Sequence, residues 1–232
     1  MLTRHTFREG LIDGIPIFLG YLSVSFGFGV MVVNGGLSWL TAIFISATNV
    51  TSAGQVAGLR IILDNGTLWE LIAAEIIINL RYALMSISLT QKVDGEFGIK
   101  QRLISGFCMT DEVYAVAASK TGSISANYMY GLISLPILGW TLGTLLGAVA
   151  GSLLPKVVLS SMGIMLYAMF IAIVLPPAKA HKDVAVCCLI AAVCSIGLKF
   201  IPAVSFGFRV IISAVSASVL AAYFFKESGE AA

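Results

Sequence analysis

The 232-residue sequence is 58% hydrophobic and 11% charged, with a formal net charge of +2 and a mean hydropathy of +0.96. Soluble domains carry roughly a quarter charged residues, so this composition excludes a soluble enzyme, a nucleic-acid-binding domain and a secreted scaffold. The charge-free stretch from Gly14 to Leu59 contains 46 residues. As one helix it would be ~69 Å long against a bilayer core of roughly 30 Å, so it must fold back on itself. We therefore expect an all-α polytopic integral membrane protein, with residues 1–232 forming a single transmembrane domain.

Hydropathy and turn residues divide the chain into helical segments, and seven to eight of them are expected to cross or re-enter the membrane. Segments 1 to 8 are, in chain order, Ile12–Val33, Leu37–Leu59, Leu68–Leu89, Arg102–Ser119, Asn127–Leu154, Val157–Leu175, Val184–Ile201 and Phe206–Phe225. Pro155 is expected to close segment 5, and Pro176-Pro177 to stop segment 6, because a helix usually ends before a proline.

A weak internal similarity suggests a four-plus-four repeat with halves 1–120 and 121–232. Pro16 and Gly27 match Pro136 and Gly147 at the same offset. Apolar sequences also produce such matches by chance, so the repeat stays open. Internal duplication is common in secondary transporters, whose substrate site lies near the repeat interface.

Segment 2 contains a polar, glycine-containing run inside an apolar helix, with side chains at Asn49, Thr51, Ser52 and Gln55. Each unpaired polar group that faces lipid destabilises the fold by roughly several kcal/mol. A discontinuous helix would use these groups to bind a substrate, with a half-helix N-terminus near Ser52 for a carboxylate. The alternative is hydrogen bonding between helices without a ligand.

Segment 3 places Glu75, Asn79 and Tyr82 on one helix face, at spacings i, i+4 and i+7, with Arg81 on a neighbouring face. Ionisable residues inside a membrane helix are expensive and are functional by default. Glu75 is a candidate proton carrier or the partner of a basic residue such as Arg81. Arg81 could itself contact a ligand, pair with a carboxylate or extend to the membrane interface.

Segment 4 contains the adjacent carboxylates Asp111 and Glu112 after Thr110. On a helix they point about 100° apart, so one would face the bundle and the other a polar vestibule. With segment 4 as one helix from Arg102, Asp111 lies ~13 Å deep, which argues against a position in water at a helix end. Asp111 is the leading candidate for proton coupling, with Glu75 as the alternate.

Segment 5 carries a stripe of glycines at four-residue spacing, where another backbone can approach closely. The stripe consists of Gly139, Gly143, Gly147 and Gly151. It is either a sliding or rocking interface or, as we favour, static helix packing.

The sequence offers no catalytic or metal-ligating set. The cysteines form no Cys-x-x-Cys pair, and the histidines His5 and His181 lie in charged, loop-like contexts. A metal site, a serine protease with a histidine base and a P-loop nucleotide site are therefore not expected, and neither is any cofactor. A membrane-embedded enzyme is the least favoured class.

The motifs of the first half resemble those of the AzlC-type (azaleucine-resistance) branched-chain amino acid permeases. The similar elements are Asn79-Leu-Arg-Tyr-Ala-Leu-Met-Ser86, Thr110-Asp-Glu-Val-Tyr114, Ser52-Ala-Gly-Gln55 and the opening with Gly10, Pro16 and Gly27. One departure is Val56, where many members have an aromatic residue. The resemblance implies export of branched-chain amino acids from the bacterial plasma (inner) membrane, together with a small hydrophobic AzlD-type subunit.

The expected function is thus a permease for small neutral amino acids, proton-coupled and acting outward. Substrate contact is assigned to the segment 2 residues Asn49, Thr51, Ser52 and Gln55, and Asn79 and Arg81 would orient or pair with the carboxylates. The alternative is a non-transporting structural subunit that needs a partner to form any pathway. In that case the polar runs hold helices together and the segment 5 glycines form the docking face.

Overall fold

The computed structural model describes residues 5–95, 97–151, 155, 157, 168, 171–172 and 174–225. Two compact units interleave along the chain. The first unit comprises Met1–Gln55 and Asn79–Leu166, and the second comprises Val56–Ile78 and Tyr167–Ala232. Because the packing units interleave, the repeat with halves 1–120 and 121–232 stays a prediction.

The described residues are helical, as expected from the composition. The helices are α1 (Phe7–Asn34), α2 (Trp39–Thr48), α3 (Ala53–Leu63), α4 (Leu68–Thr90), α5 (Ile99–Phe107), α6 (Asp111–Ser119), α7 (Ala126–Ala150), α8 (Lys182–Lys199) and α9 (Phe206–Phe224). In the described ranges the only β-pairing is an isolated bridge between Val93 and Ile124. The helices α1, α4, α7 and α9 are long and apolar enough to cross a membrane.

Helix α1 begins at Phe7, five residues before the predicted start, because a capping box holds its first turn. The Thr6 hydroxyl accepts a hydrogen bond from the Glu9 amide, and the Glu9 carboxylate accepts one from the Thr6 amide. This reciprocal arrangement satisfies two otherwise unpaired amides. The spacing of Thr6 and Glu9 was a readable signal for this start.

Segment 2 is interrupted, as its polar run suggested. Helix α2 ends at Thr48, where the Asn49 amide still donates to the carbonyl of Ile45. Helix α3 begins at Ala53, immediately after Ser52, whose φ of 54° is unusual for a residue other than glycine. The backbone therefore leaves the helical course across residues 49–52, within the first unit.

Segment 4 is also interrupted, so its prediction as one continuous helix was wrong. Helix α5 ends at Phe107 and α6 begins at Asp111. The Thr110 hydroxyl accepts a hydrogen bond from the Val113 amide and so caps a new helix. Asp111 and Glu112 consequently lie in the first turn of α6, at a helix N-terminus that the depth argument did not allow. Threonine followed by two acids is a typical helix start.

Helices α1 and α7 pack in parallel through the glycine stripe. A Cβ placed on Gly143 would lie 2.4 Å from the Leu22 carbonyl oxygen, and one on Gly147 would lie 2.0 Å from that of Phe26. A Cβ on Gly139 would lie 2.8 Å from the Phe18 carbonyl oxygen, and one on Gly151 would lie 3.1 Å from a side-chain methyl of Val30, so successive glycines meet successive turns of α1. Only glycine permits such backbone proximity. The stripe therefore contacts this chain's own first helix, which overturns its assignment as a docking face for another subunit.

The Pro176-Pro177 pair does not end a helix as predicted, and the end of segment 5 at Pro155 stays a prediction because residues 152–154 lie outside the described residues. Helix α7 is described to Ala150, and Gly151 donates its amide to the Gly147 carbonyl. Residues 174–180 are helical, although Pro176 and Pro177 lie among them. Proline lacks only the amide donor, and the Pro177 carbonyl still accepts a hydrogen bond from the His181 amide at 2.8 Å. Most of predicted segment 6 lies outside the described residues.

In the second unit, a buried carboxylate connects the start of α4 with the start of α9. Glu70 is 4% exposed, and its Oε1 accepts hydrogen bonds from the Gly207 amide at 2.8 Å and from the Ser205 hydroxyl. A negative charge at a helix N-terminus satisfies amides that lack partners in the helix. Glu70 is therefore fully used by this cap.

Helix α4 presents an apolar stripe on one face. The residues at spacings of three and four, all well exposed, are Ile72, Ile76, Leu80, Leu84 and Ile87. Such a stripe is typical of a lipid-facing surface in a protein of this composition. The polar residues of the same helix lie on its other faces.

Candidate functional site

Polar residues of the first unit gather where the two interrupted segments meet helix α4. Arg81 and Asp111 form an ion pair, with Nη1 and Oδ2 2.6 Å apart. The exposed fractions of the two side chains are 35% and 20%. Charge-assisted hydrogen bonds of this length are among the stronger polar contacts in proteins. Arg81 thus extends toward helix α6 and not only toward the membrane interface.

The guanidinium of Arg81 also holds Tyr82, the next residue of helix α4. Arg81 Nη2 donates to the Tyr82 hydroxyl at 2.8 Å, and the guanidinium lies 4.7 Å from the centre of the Tyr82 ring. The Tyr82 hydroxyl donates in turn to the carbonyl oxygen of Thr51 at 3.2 Å. These two successive hydrogen bonds link the ion pair to the backbone of the α2–α3 interruption.

The second carboxylate of the pair, Glu112, faces helix α1. The Tyr21 hydroxyl lies 2.6 Å from both Glu112 Oε2 and Thr110 Oγ1. A carboxylate only accepts, so the phenol donates to Glu112 and accepts from the Thr110 hydroxyl. The Tyr21 ring packs edge-on against Trp140 of α7, which is 1% exposed. The adjacent carboxylates therefore point to different helices, as their 100° separation predicted.

A hydrogen bond of the Gln55 side chain fixes the first turn of α3. Gln55 is 1% exposed and donates through Nε2 to the Ser46 hydroxyl at 3.1 Å. Ser46 in turn lies 2.7 Å from the Thr144 hydroxyl of α7. The two halves of segment 2 are thus tied to each other and to helix α7 by buried hydrogen bonds.

Several buried polar atoms around the interruption have no hydrogen-bond partner among the described residues. They are Thr51 Oγ1, Ser52 Oγ, Gln55 Oε1 and Arg81 Nε. Buried polar atoms in proteins are nearly always paired, so a group of unpaired ones indicates water or a ligand. Both donors and acceptors are present, which suits a ligand carrying both kinds of group.

The remaining predicted residues are placed differently. Glu75 belongs to the second unit, where its carboxylate packs against Gly58 of α3. Asn79 lies two residues before Arg81 on helix α4, so the two positions are about 200° apart around the helix axis. Asn49 contributes its backbone as the cap of α2. The structure thus brings Thr51, Tyr82, Arg81, Asp111 and Glu112 into one connected cluster.

Sequence reasoning did not single out Tyr21 or Thr144, which support this cluster, and it included Ser46 only as the start of the polar run in segment 2. Each is a polar side chain in a largely apolar helix, and spacing alone does not distinguish it from a residue that bonds its own backbone. Another missed group lies at the start of α1 and α7. There Asp13 Oδ2 is 2.7 Å from Lys120 Nζ and accepts a hydrogen bond from the Tyr128 hydroxyl at 2.8 Å.

The cluster contains an ion pair, phenols and hydroxyls, which donate and accept hydrogen bonds. Within the part of the chain that the structure describes, no group of three His, Cys, Asp or Glu side chains is placed to hold a metal ion. The arrangement supports binding of a small polar or charged molecule beside a broken helix. Broken helices at such sites are typical of secondary transporters.

The chain is similar to known membrane proteins over much of its length. Residues 16–154 match the family model of the AzlC protein. The chain is 28% identical over 205 residues to the inner membrane protein YgaZ of Escherichia coli, covering 85% of this chain and 84% of the relative. It is 33% identical over 175 residues to an uncharacterized membrane protein of Archaeoglobus fulgidus, covering 75% and 76%.

A further relative carries a function in its name. The chain is 25% identical over 151 residues to the branched-chain amino acid transport protein AzlC of Bacillus subtilis, covering 63% of this chain and 58% of that protein. No solved structure matches the chain significantly. The matched residues 16–154 include both interrupted segments and the Arg81–Asp111 pair. The protein is a membrane protein of the AzlC family.

Proposed function

We propose that this protein is the large subunit of a secondary transporter that exports branched-chain amino acids across the bacterial plasma membrane. Membership of the AzlC family and the name of the Bacillus subtilis relative support transport of these substrates. In the proposal, protons move inward in exchange, and a small hydrophobic AzlD-type membrane subunit completes the transporter.

The observation that carries the proposal is the interrupted segment 2 with its buried unpaired polar atoms. Backbone that leaves the helical course at membrane depth is tolerated where it lines a cavity or a binding site. Thr51, Ser52 and Gln55 each carry such an atom. With Asn49 and Asn79 they form the proposed substrate-binding set. An amino acid presents the donors and acceptors that the unpaired atoms of Thr51, Ser52 and Gln55 lack.

Proton coupling is assigned to the carboxylates beside this set. Asp111 is the proposed coupling residue because it lies in the connected cluster with Arg81, Tyr82 and Thr51. Glu112, held by the Tyr21 hydroxyl, is the second carboxylate of the same turn. Glu75 is the weaker choice, since it packs against Gly58 in the second unit.

The experiment is amino acid efflux from bacteria that lack their own exporters and are preloaded with branched-chain dipeptides. Strains would produce this chain alone, the small subunit alone, both or neither. Efflux of valine, leucine or isoleucine that requires this chain is the expected result. Absence of efflux in every strain, with the protein inserted in the membrane, would contradict export of branched-chain amino acids.

The same comparison tests the alternative of a non-transporting structural subunit. Efflux from the strain with this chain alone would exclude that role. The close packing of the segment 5 glycines against α1 already removes one argument for it, because those glycines are not available to a partner.

A further inference from the structure

We infer that the Arg81–Asp111 ion pair is the zwitterion-binding element of the site, and that substrate binding opens it. The guanidinium of Arg81 takes the α-carboxylate of an amino acid, and the carboxylate of Asp111 takes its α-ammonium group. This inference rests on the proposed transport function and adds the residues that recognise the common part of every α-amino acid.

The first argument is the chemistry of the pair. A zwitterion carries one carboxylate and one ammonium group on a single carbon, and an ion pair presents the complementary charges side by side. Arg81 Nη1 and Asp111 Oδ2 are in direct contact at 2.6 Å, so the two charges satisfy each other without a ligand. A zwitterion inserted between them replaces one ion pair with two, and no charge is left unpaired.

The second argument is the set of unpaired atoms around the guanidinium. Arg81 donates through Nη1 to Asp111 and through Nη2 to Tyr82, while its Nε is buried without a partner among the described residues. Unpaired buried donors cost stability, and a purely structural arginine normally uses them. A carboxylate accepts from two guanidinium nitrogens at once, so a bound α-carboxylate satisfies Nε as well.

The third argument is the neighbouring backbone. Thr51 binds the Tyr82 hydroxyl through its carbonyl, but its own hydroxyl is buried without a partner in the described part of the chain. Gln55, 1% exposed, has an unpaired Oε1 one turn into α3. These atoms lie on the segment that the Arg81–Tyr82 contact reaches, and they can bind the polar groups of the same ligand.

The arrangement also makes substrate and proton compete. A proton taken from water by Asp111 neutralises the carboxylate and removes its hold on the ammonium group. Among the described residues, Asp111 pairs with Arg81 on α4, which also holds Tyr82. The adjacent Glu112 on α6 accepts from Tyr21 on α1, and Tyr21 packs against Trp140 of α7, which does not titrate. Competition at a single carboxylate is sufficient to couple outward substrate movement to inward proton movement.

The test is binding to the purified full-length protein, measured by calorimetry with three probes. L-valine carries both charges, L-valinamide lacks the carboxylate and isovalerate lacks the ammonium group. We expect both analogues to bind about 100-fold more weakly than valine, because each lacks one of the two charges that the half-buried ion pair would bind. Binding of either analogue as tightly as valine would overturn the inference, and so would an absence of amino acid binding.

A pair of double variants separates recognition from structural support. R81Q/D111N removes both charges together and leaves two neutral hydrogen-bonding groups. The matched control R60Q/D64N removes an exposed pair of similar length, with Arg60 Nε and Asp64 Oδ2 3.0 Å apart. We expect R81Q/D111N to melt near the wild-type temperature and lose valine binding by about 100-fold, while the control binds normally. Normal valine binding by a folded R81Q/D111N variant would contradict the inference. If that variant does not fold, the three-probe comparison on the wild-type protein tests the inference instead.

The result is distinguishable from a failure of the proposed transport function. Tight binding of alanine or serine with the same analogue pattern, without branched-chain efflux, would keep the zwitterion site and change the substrate. Branched-chain efflux with no discrimination against valinamide and isovalerate would keep the function and remove this site.

Discussion

Arg81 Nη1 lies 2.6 Å from Asp111 Oδ2, although helix α5 lies between their helices, α4 and α6, in the chain. The contact exists because α6 starts at Asp111, which turns the acid out of the apolar course of α5 toward α4. Arg81 also reaches the interruption of segment 2 through Tyr82 and Thr51. The Arg81 guanidinium therefore connects the α2–α3 interruption with the α5–α6 interruption.

Replacement of Asp111 tests proton coupling. We expect Asp111→Asn to insert in the membrane and to lose the pH dependence of transport, because an amide does not take up a proton. In the proposed mechanism, acidification of the side that receives substrate protonates Asp111 and releases the amino acid. The check is the transport rate of the wild type and of Asp111→Asn, measured from about pH 5.5 to about pH 8. An unchanged pH profile in the variant would remove Asp111 from coupling.

Tyr21→Phe tests the support of the second carboxylate. The substitution removes the one hydroxyl that binds both Thr110 and Glu112, and it leaves the Glu112 carboxylate without that donor. Loss of a buried donor to a charged group costs about 1–3 kcal/mol, so the melting temperature should fall by several degrees. Tyr223→Phe, on a side chain that is 78% exposed, is the matched control. Equal melting of both variants would mean that Tyr21 does not support Glu112.

The backbone at Ser52 allows its hydroxyl and its conformation to be tested separately. Ser52 has φ 54°, a value that glycine adopts without strain and alanine does not. Both Ser52→Gly and Ser52→Ala remove the hydroxyl, but only glycine relieves the backbone. We expect equal losses of substrate affinity and a melting temperature about 2–4 °C higher for the glycine variant. Higher stability of the alanine variant would show that the interruption does not require this conformation.

The glycine stripe predicts a sharp difference between two glycines. A Cβ at Gly143 would lie 2.1 Å from Ser25 Oγ, whereas one at Gly20 would meet nothing within 4 Å. Gly143→Ala should lower the melting temperature by about 5 °C, since overpacking costs about 1–3 kcal/mol. Gly20→Ala should leave it unchanged or slightly raised. If Gly143→Ala were as stable as Gly20→Ala, α1 and α7 would not be in close contact.

Ser46→Ala tests the link between the two halves of segment 2. Ser46 binds both Gln55 and Thr144, so its hydroxyl fixes the Gln55 amide in one orientation. The variant should raise the apparent KM for the exported amino acid by about 10-fold with a smaller effect on the maximal rate, because one oriented hydrogen bond contributes about 1.5 kcal/mol. A change in maximal rate with an unchanged KM would show that Gln55 does not bind the substrate.

Composition and residue pattern were sufficient for the membrane class, the approximate helix positions and the interruption at Ser52. They were not sufficient for the interruption at Thr110, because the surrounding residues are apolar and the capping signal of Thr110-Asp111-Glu112 is local. The Arg81–Asp111 contact could not be derived either. It depends on how two helices far apart in the chain pack, and hydropathy carries no information about that packing.

The same limit explains the residues that sequence reasoning misplaced. Glu75 shares a helix face with Asn79 and Tyr82 by spacing, yet it belongs to the second unit and packs against Gly58. A face that is continuous on one helix meets different neighbours along its length. Spacing therefore groups residues correctly on α4 and does not decide which of them reach the site.

The most direct test of transport is exchange in liposomes that contain the purified chain together with the proposed small partner subunit. Vesicles loaded with radiolabelled valine would be diluted into buffer at equal pH or at acidic pH. We predict that labelled valine leaves faster than from protein-free vesicles and that an acidic exterior accelerates its release. Loss of valine at the rate of protein-free vesicles under both conditions would contradict the proposal that this protein forms a proton-coupled amino acid exporter.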